Sequence, residues 1–390
     1  MLKLHFSTFT LEDFLQNYWQ QRPVVIRLGF PEFADLICPN DLAGLACEDN
    51  VESRLIYKKD GEWQAEAGPF ESYEHVDNLA WTLIVQAVNH WSPEVARLVE
   101  VFSFIPKWRF DDVMISYSTP GAGVGPHIDL YDVFICQGSG RRTWRVGEQG
   151  THRQFAAHPA LLHTDPFIPI IDVELLPGDI LYIPPGFPHD GVSLETSMSF
   201  SVGFRSKSAR DMLSGLADYL IDQDLGNTLI SDAGRQIHRH QGLINSQDFN
   251  LIQNQMRAVL EDKTLITKFI GSFLTRTKCL LDLQELDDPY TEVDLLAQLQ
   301  LQDLKRTGGL RCFYFEDQVE QRICYVNGEC YQFEAFDSNA ISLICDQERL
   351  TWSDLKDQLI PSDGQSDCAD LLTTLTEWVN LGYWYFEDQE

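Results

Sequence analysis

Between residues 111 and 205 the chain is a series of short apolar runs divided by Gly and Pro clusters, and no other feature limits its fold as much. The runs are Val113–Tyr117, Asp132–Gln137, Thr143–Val146, Ile170–Leu175, Asp179–Ile183 and Ser197–Phe204. Each is short for a helix and long enough for a strand. Turn signals recur between them at the spacing of an all-β unit. The segment is therefore expected to form a β-barrel or sandwich.

The flanks read differently. In residues 1–110, Thr10 stands three residues before Asp13, an N-cap pattern, and Phe14, Leu15, Tyr18 and Trp19 follow at helical spacing. Pro23 ends that helix, and Val24–Ile26 reads as a short strand. Helical spacing returns at Asn78–His90 and Pro93–Val101. Beyond the barrel, Ala209–Gln223 and Phe249–Leu274 read as helices, and Asp287-Asp-Pro289 marks a boundary. Residues 291–390 then read as a small α+β unit. It has a helix at Glu292–Leu301, strands at Cys312–Phe315, Arg322–Val326 and Tyr331–Phe333, a helix at Cys368–Leu381, and Tyr383–Phe386 at the end.

Composition excludes several classes. An apolar fraction of 44% with 23% charged residues is that of a folded chain. No run reaches the roughly 18 to 20 apolar residues of a membrane helix, and no secretory signal is visible at the N-terminus. The nine cysteines include no C-x-x-C pair, which argues against a disulfide framework or a cysteine-ligated zinc. Cys312, Cys324, Cys330 and Cys345 read as buried thiols, and a reducing cytoplasm suits them. A net charge of -30 repels phosphate backbones and attracts a basic protein.

The chemistry concentrates in the barrel. Gly125-Pro-His-Ile-Asp-Leu130 carries His127 and Asp129 two residues apart, on one face of a strand. His189 ends Pro177-Gly-Asp-Ile-Leu-Tyr-Ile-Pro-Pro-Gly-Phe-Pro-His189, a turn, a buried strand and a second turn. Two imidazoles and one carboxylate leave one face of an octahedral iron(II) ion open. The pair His163-Thr-Asp165 repeats the spacing but runs into Pro166, and reads as loop. The glycines of Gly121-Ala-Gly-Val-Gly125 precede a strand, not a helix, so they suit close backbone approach better than phosphate binding. Gly138-Ser-Gly140 reads as a hairpin turn leading to Arg142, whose guanidinium could grip the far end of a dicarboxylate. Ser116 could donate to the same carboxylate.

These stretches resemble the bacterial ribosomal oxygenases, a cupin-like branch of the Jumonji-C family. The resemblance rests on Phe14, Leu15, Tyr18, Trp19 and Pro23, on Asp112-Val-Met-Ile-Ser116, and on Gly123-Val-Gly-Pro-His-Ile-Asp-Leu-Tyr-Asp-Val-Phe134. Gly138-Ser-Gly-Arg-Arg-Thr-Trp-Arg-Val-Gly147, the Pro177–His189 run and Gly203-Phe-Arg205 complete it. It implies an α+β chain: a double-stranded β-helix with N-terminal helical elements (1–205), a helical dimerisation region (206–290) and a winged-helix-like domain (291–390). It also implies iron(II) on His127, Asp129 and His189, 2-oxoglutarate on Ser116 and Arg142, and O2 as oxidant. The implied activity is 3-hydroxylation of an arginine in large-subunit ribosomal protein L sixteen by a homodimer. The cysteines point to a cytoplasmic home, and the charge and the missing apolar run argue against nucleic acid and membrane as partners. Tyr131, Asp132 and Asp190 are candidates for recognising that arginine. Three rivals stand beside this reading. One is a zinc or manganese cupin enzyme without 2-oxoglutarate. Another is a non-catalytic module that binds ribosomal protein. The third is a demethylase or RNA hydroxylase.

Overall fold

The computed structural model describes residues 2–237, 239–277, 281, 283, 286, 288–319, 321–333, 339–359 and 369–387. They divide into two compact units. One is built on the chain up to Ser206 and also takes in Thr307–Gly309; the other begins at Lys207. No described helix is long and apolar enough to cross a membrane.

The first unit contains fourteen described strands: β1 (Val24–Ile26), β2 (Ser53–Lys59), β3 (Glu62–Ala67), β4 (Trp81–Val85), β5 (Phe110–Ser118), β6 (His127–Ile128), β7 (Tyr131–Gln137), β8 (Arg142–Gly147), β9 (Gln154–His158), β10 (Leu161–Thr164), β11 (Pro169–Leu175), β12 (Ile180–Ile183), β13 (Pro188–Ser193) and β14 (Ser197–Arg205). Eight form one sheet in the order β1-β12-β7-β14-β5-β4-β2-β3, and four form another in the order β11-β8-β13-β6. Val133 and Ile135 of β7 and Leu181 and Ile183 of β12 pack against Trp144 and Val146 of β8, so the two sheets share an interior.

Alternation explains both faces of the large sheet. Val113 and Ile115 of β5, with Met198, Phe200, Val202 and Phe204 of β14, enter the main core. Apart from Met114, the residues that alternate with them are small, with Ser116 opposite Ser199 and Ser118 opposite Ser197. Successive side chains leave opposite faces of a strand, so this serine-lined wall faces the barrel interior. On the core side, the helix Leu11–Asn17 starts with a reciprocal Thr10–Asp13 capping box and buries Phe14 against Phe134 and Tyr182. That helix begins where the sequence places it.

Several expectations are corrected. Asn78–His90 is not a helix: it holds β4 and a single 3-10 turn at Val88–His90. The apolar run Trp81–Val85 pairs with β2 on one side and β5 on the other, and that pairing overrides the local helical spacing. Gly138-Ser-Gly140 does not close a hairpin. β7 lies in the eight-stranded sheet and β8 in the four-stranded one, so the turn carries the chain across the barrel, with Gly140 at φ +73°. His163 and Thr164 lie on β10, paired with β9, rather than in a loop.

In the second unit, Ala209–Asp222 is one helix, whereas the helix expected over Phe249–Leu274 is two, Ser246–Glu261 and Lys263–Thr275. Asp262 leaves helical geometry between them and its carboxylate caps Leu265 N–H at 3.0 Å. Further on, the helices Glu292–Leu299, Asn339–Asp346, Trp352–Leu359 and Ala369–Asn380 accompany two small three-stranded sheets. Cys312, Cys324 and Cys345 are buried there, while Cys330 is exposed. Asp287 lies outside the described residues.

Candidate active site

His127 and His189 face each other across the β6–β13 ladder, with ring centroids 4.2 Å apart. Each ring is oriented from behind. His127 Nδ1 donates to the Gly125 carbonyl at 2.8 Å, and His189 Nδ1 donates to the Phe187 carbonyl at 3.0 Å. A carbonyl can only accept, so both protons sit on Nδ1 and both Nε2 lone pairs point inward. Asp129 follows β6, and its carbonyl is tied to Gly186 N–H at 2.8 Å. Its Oδ2 lies 3.7 Å from His127 Nε2 and 3.5 Å from His189 Nε2.

Those separations exceed a hydrogen bond of about 3 Å and suit three ligands around one ion. All three ligand atoms lie within 4.8 Å of one another, and this is the only such cluster among the described residues. Burial raises the Asp129 carboxyl, but the two imidazoles override it and hold the group well below the usual carboxylate range. Burial opposes protonation of His127, and the carboxylate outweighs it to raise that imidazole. Burial and the Asp129 charge keep the Tyr131 phenol neutral at its side.

Arg142 completes a second constellation. It is 3% exposed, and its Nη1 donates to Ser116 Oγ at 3.1 Å. Its Nε is buried with no partner, and no described carboxylate forms an ion pair with it. Burial lowers the guanidinium to about 10, with the Asp190 charge working the other way. The neighbouring Arg141, exposed just before β8, pairs with Glu174 at 2.9 Å and Glu195 at 3.2 Å. One arginine is satisfied and the next is buried without a counter-ion, so the interior fits an incoming anion.

The glycine loop makes the close approach expected of it. A Cβ on Gly123 would fall 2.3 Å from the Gly191 carbonyl oxygen. His163 belongs behind this loop, outside the ligand cluster. Its Nε2 donates to the Val124 carbonyl at 2.8 Å, and Thr164 N–H donates to the Pro126 carbonyl at 2.9 Å. Asp132 does not line the site either. It is fully buried in a network with Tyr182 Oη at 2.6 Å, Gln20 Nε2 at 3.0 Å and Arg109 Nη2 at 3.1 Å.

Two residues absent from the candidates belong near the cluster. Trp144 shares the inward face of β8 with Arg142, which the period of two could have shown. Asp112 interacts with Tyr131 and accepts from Ala87 N–H at 3.0 Å. Burial, then the neighbouring Asp111, raises its carboxyl to about 6. No spacing pattern in the sequence marks it.

Fold and site together define a JmjC-type barrel followed by a winged helix. A JmjC domain model matches residues 97–212, and a ROXA-like winged helix model matches residues 258–385. The chain belongs to the ribosomal oxygenase family. It is 43% identical over 97% of its length to the ribosomal protein uL16 3-hydroxylase of Escherichia coli (strain K12), covering 98% of that protein. It is 31% identical to the "Probable ribosomal oxygenase" of Haemophilus influenzae, covering 96% of this chain and 95% of that one. The solved structure of YcfD, a ribosomal oxygenase from Escherichia coli in complex with cobalt and 2-oxoglutarate, superposes with a TM-score of 0.89 at 41% identity, with both chains fully covered.

Proposed function

We propose that this chain is an iron(II)- and 2-oxoglutarate-dependent hydroxylase that 3-hydroxylates an arginine of ribosomal protein uL16. One observation carries the reading. A two-imidazole, one-carboxylate cluster and a buried guanidinium with no acid partner share one barrel interior. His127, Asp129 and His189 would hold the iron, and Arg142 with Ser116 the far carboxylate of 2-oxoglutarate. When bound, iron and 2-oxoglutarate together supply the power to place one oxygen atom of O2 on a C–H bond, with succinate and CO2 released.

The chain's own residues bind and position. Gly125 and Phe187 carbonyls hold both imidazoles with Nε2 facing inward. Ser116 orients the Arg142 fork. The apolar walls from Val133, Ile135, Leu181 and Val146 exclude water from the interior. Toward the substrate, Asp112 and the Tyr131 ring offer a carboxylate and an aromatic face, a pairing suited to a guanidinium.

Asp132 is committed to its buried network and is not among the substrate contacts. We read residues 206–290 as a dimerisation region and 291–390 as a winged-helix domain. The exposed Met212, Leu213, Ile221, Phe249 and Met256 on two helices support self-association, which light scattering would measure. The seven described cysteines are free, in keeping with a cytoplasmic home.

The test is turnover with iron(II), 2-oxoglutarate, O2 and purified uL16. The expected result is succinate together with a peptide heavier by one oxygen. His127→Ala should abolish both. Succinate without peptide oxidation would remove uL16 as substrate, and peptide oxidation that persists when 2-oxoglutarate is omitted would favour a cupin enzyme independent of it.

A further inference from the structure

We propose that the indole N–H of Trp144 donates a hydrogen bond to the dicarboxylate co-substrate, along the stretch between Arg142 and the His127–Asp129–His189 cluster. This rests on the 2-oxoglutarate reading above and adds a binding residue to it.

Trp144 is 6% exposed, and its Nε1 is buried without a partner. It stands two residues after Arg142 on β8, so both side chains enter the interior from one face. The Arg142 guanidinium carbon lies 5.2 Å from the indole centroid, and the His189 ring centroid lies 6.1 Å from it on the neighbouring strand. The indole therefore occupies the interval between the metal ligands and the guanidinium. A five-carbon diacid that reaches from one to the other must pass along this ring.

Gly191 makes that placement feasible. A Cβ there would fall 2.8 Å from the indole, so the ring lies against bare backbone between His189 and Ser193. Arg142 Nε is also unpartnered, which puts two buried donors without acceptors on one wall. Buried donors in a folded chain are normally paired, and an orphan beside an unpaired cation calls for an anion. Trp378 and Trp384 also lack partners, but their setting differs. The arginine over Trp384, Arg306, is already paired with Glu348. Arg142 has no such acid.

The experiment uses full-length protein loaded with zinc(II), which is diamagnetic and does not turn over. Titration calorimetry with 2-oxoglutarate compares the unaltered chain with Trp144→Phe, which keeps a ring and loses the donor. The expected result is about fivefold to tenfold weaker 2-oxoglutarate binding, the worth of one hydrogen bond, with zinc affinity unchanged. In parallel, the Trp144 indole 15N–1H cross-peak of the unaltered chain is followed. It is assigned by its loss in the variant or by through-space contact to His189, and should move downfield as 2-oxoglutarate is added. Equal affinity in the two proteins, or an unmoved cross-peak while the ligand binds, overturns the proposal. If the unaltered chain binds no 2-oxoglutarate at all, the co-substrate reading falls and this one with it.

Discussion

Arg142 carries a burial cost that the Asp190 charge relieves only in part. A buried guanidinium whose only side-chain hydrogen bond is to a serine hydroxyl loses hydration without gaining an ion pair. An anion that binds there should stabilise the fold, by about 2.7 kcal/mol at a hundredfold excess over its dissociation constant. Calorimetric melting should therefore show Tm rising with 2-oxoglutarate or succinate. Arg142→Met should abolish that rise while leaving the ligand-free Tm unchanged or higher. Asp112 gives a pH signature of the opposite kind. Its carboxyl is raised from 3.8 to about 6, so the folded state holds its proton more tightly than the unfolded chain. Below pH 4 both states are protonated and there is no penalty. Between pH 4 and 6 stability falls as the unfolded chain ionises first, reaching a deficit of about 3 kcal/mol above pH 6. Asp112→Asn should accordingly raise Tm at pH 8 and not at pH 4, and should weaken binding of an arginine peptide at pH 8 far more than at pH 4.

At the scale of elements, the site depends on two strands meeting where neither has side-chain bulk. The loop before β6 touches β13 backbone to backbone, and the Gly123 position leaves 2.3 Å between an added Cβ and the Gly191 carbonyl oxygen. That oxygen belongs to a strand hydrogen-bonded to β8 and cannot move aside cheaply. Gly123→Ala should cost about 1–3 kcal/mol in urea unfolding. It should also weaken metal binding in a manganese(II) titration, because His127 follows four residues later and its ring is held by the carbonyl of Gly125. The β9–β10 hairpin braces the same loop from its other side through His163 and Thr164, which explains why a second His-x-Asp spacing is buried beside the cluster without joining it.

For the whole molecule, the excess of acid matters most. A net charge of -30 spread over a chain of 390 residues sets up a field that draws in basic partners, and ribosomal proteins are basic. Stopped-flow association with uL16 should slow by about tenfold or more from low to physiological salt, while dissociation changes little. A charge-neutral peptide carrying the same target residue should show no such slope.

Much of the barrel and the candidate site was legible from residues alone. Alternation and turn residues marked six strands to within one to three residues. The His127–Asp129 spacing with the Pro177–His189 run named the three side chains that meet. The sequence by itself determined which residues share a face, because side-chain direction has a period of two along any strand. Only the tertiary structure decided which strand lies beside which. It turned Trp81–Val85 into a central strand through partners at Ser53–Tyr57 and Ile115–Ser118. It sent the chain at Gly138–Gly140 across the barrel, left Asp132 in a buried network, and set Trp144 between His189 and Arg142. The physical reason is range: strand hydrogen bonds and buried charges are satisfied by groups tens of residues away, and no local pattern records who those partners are.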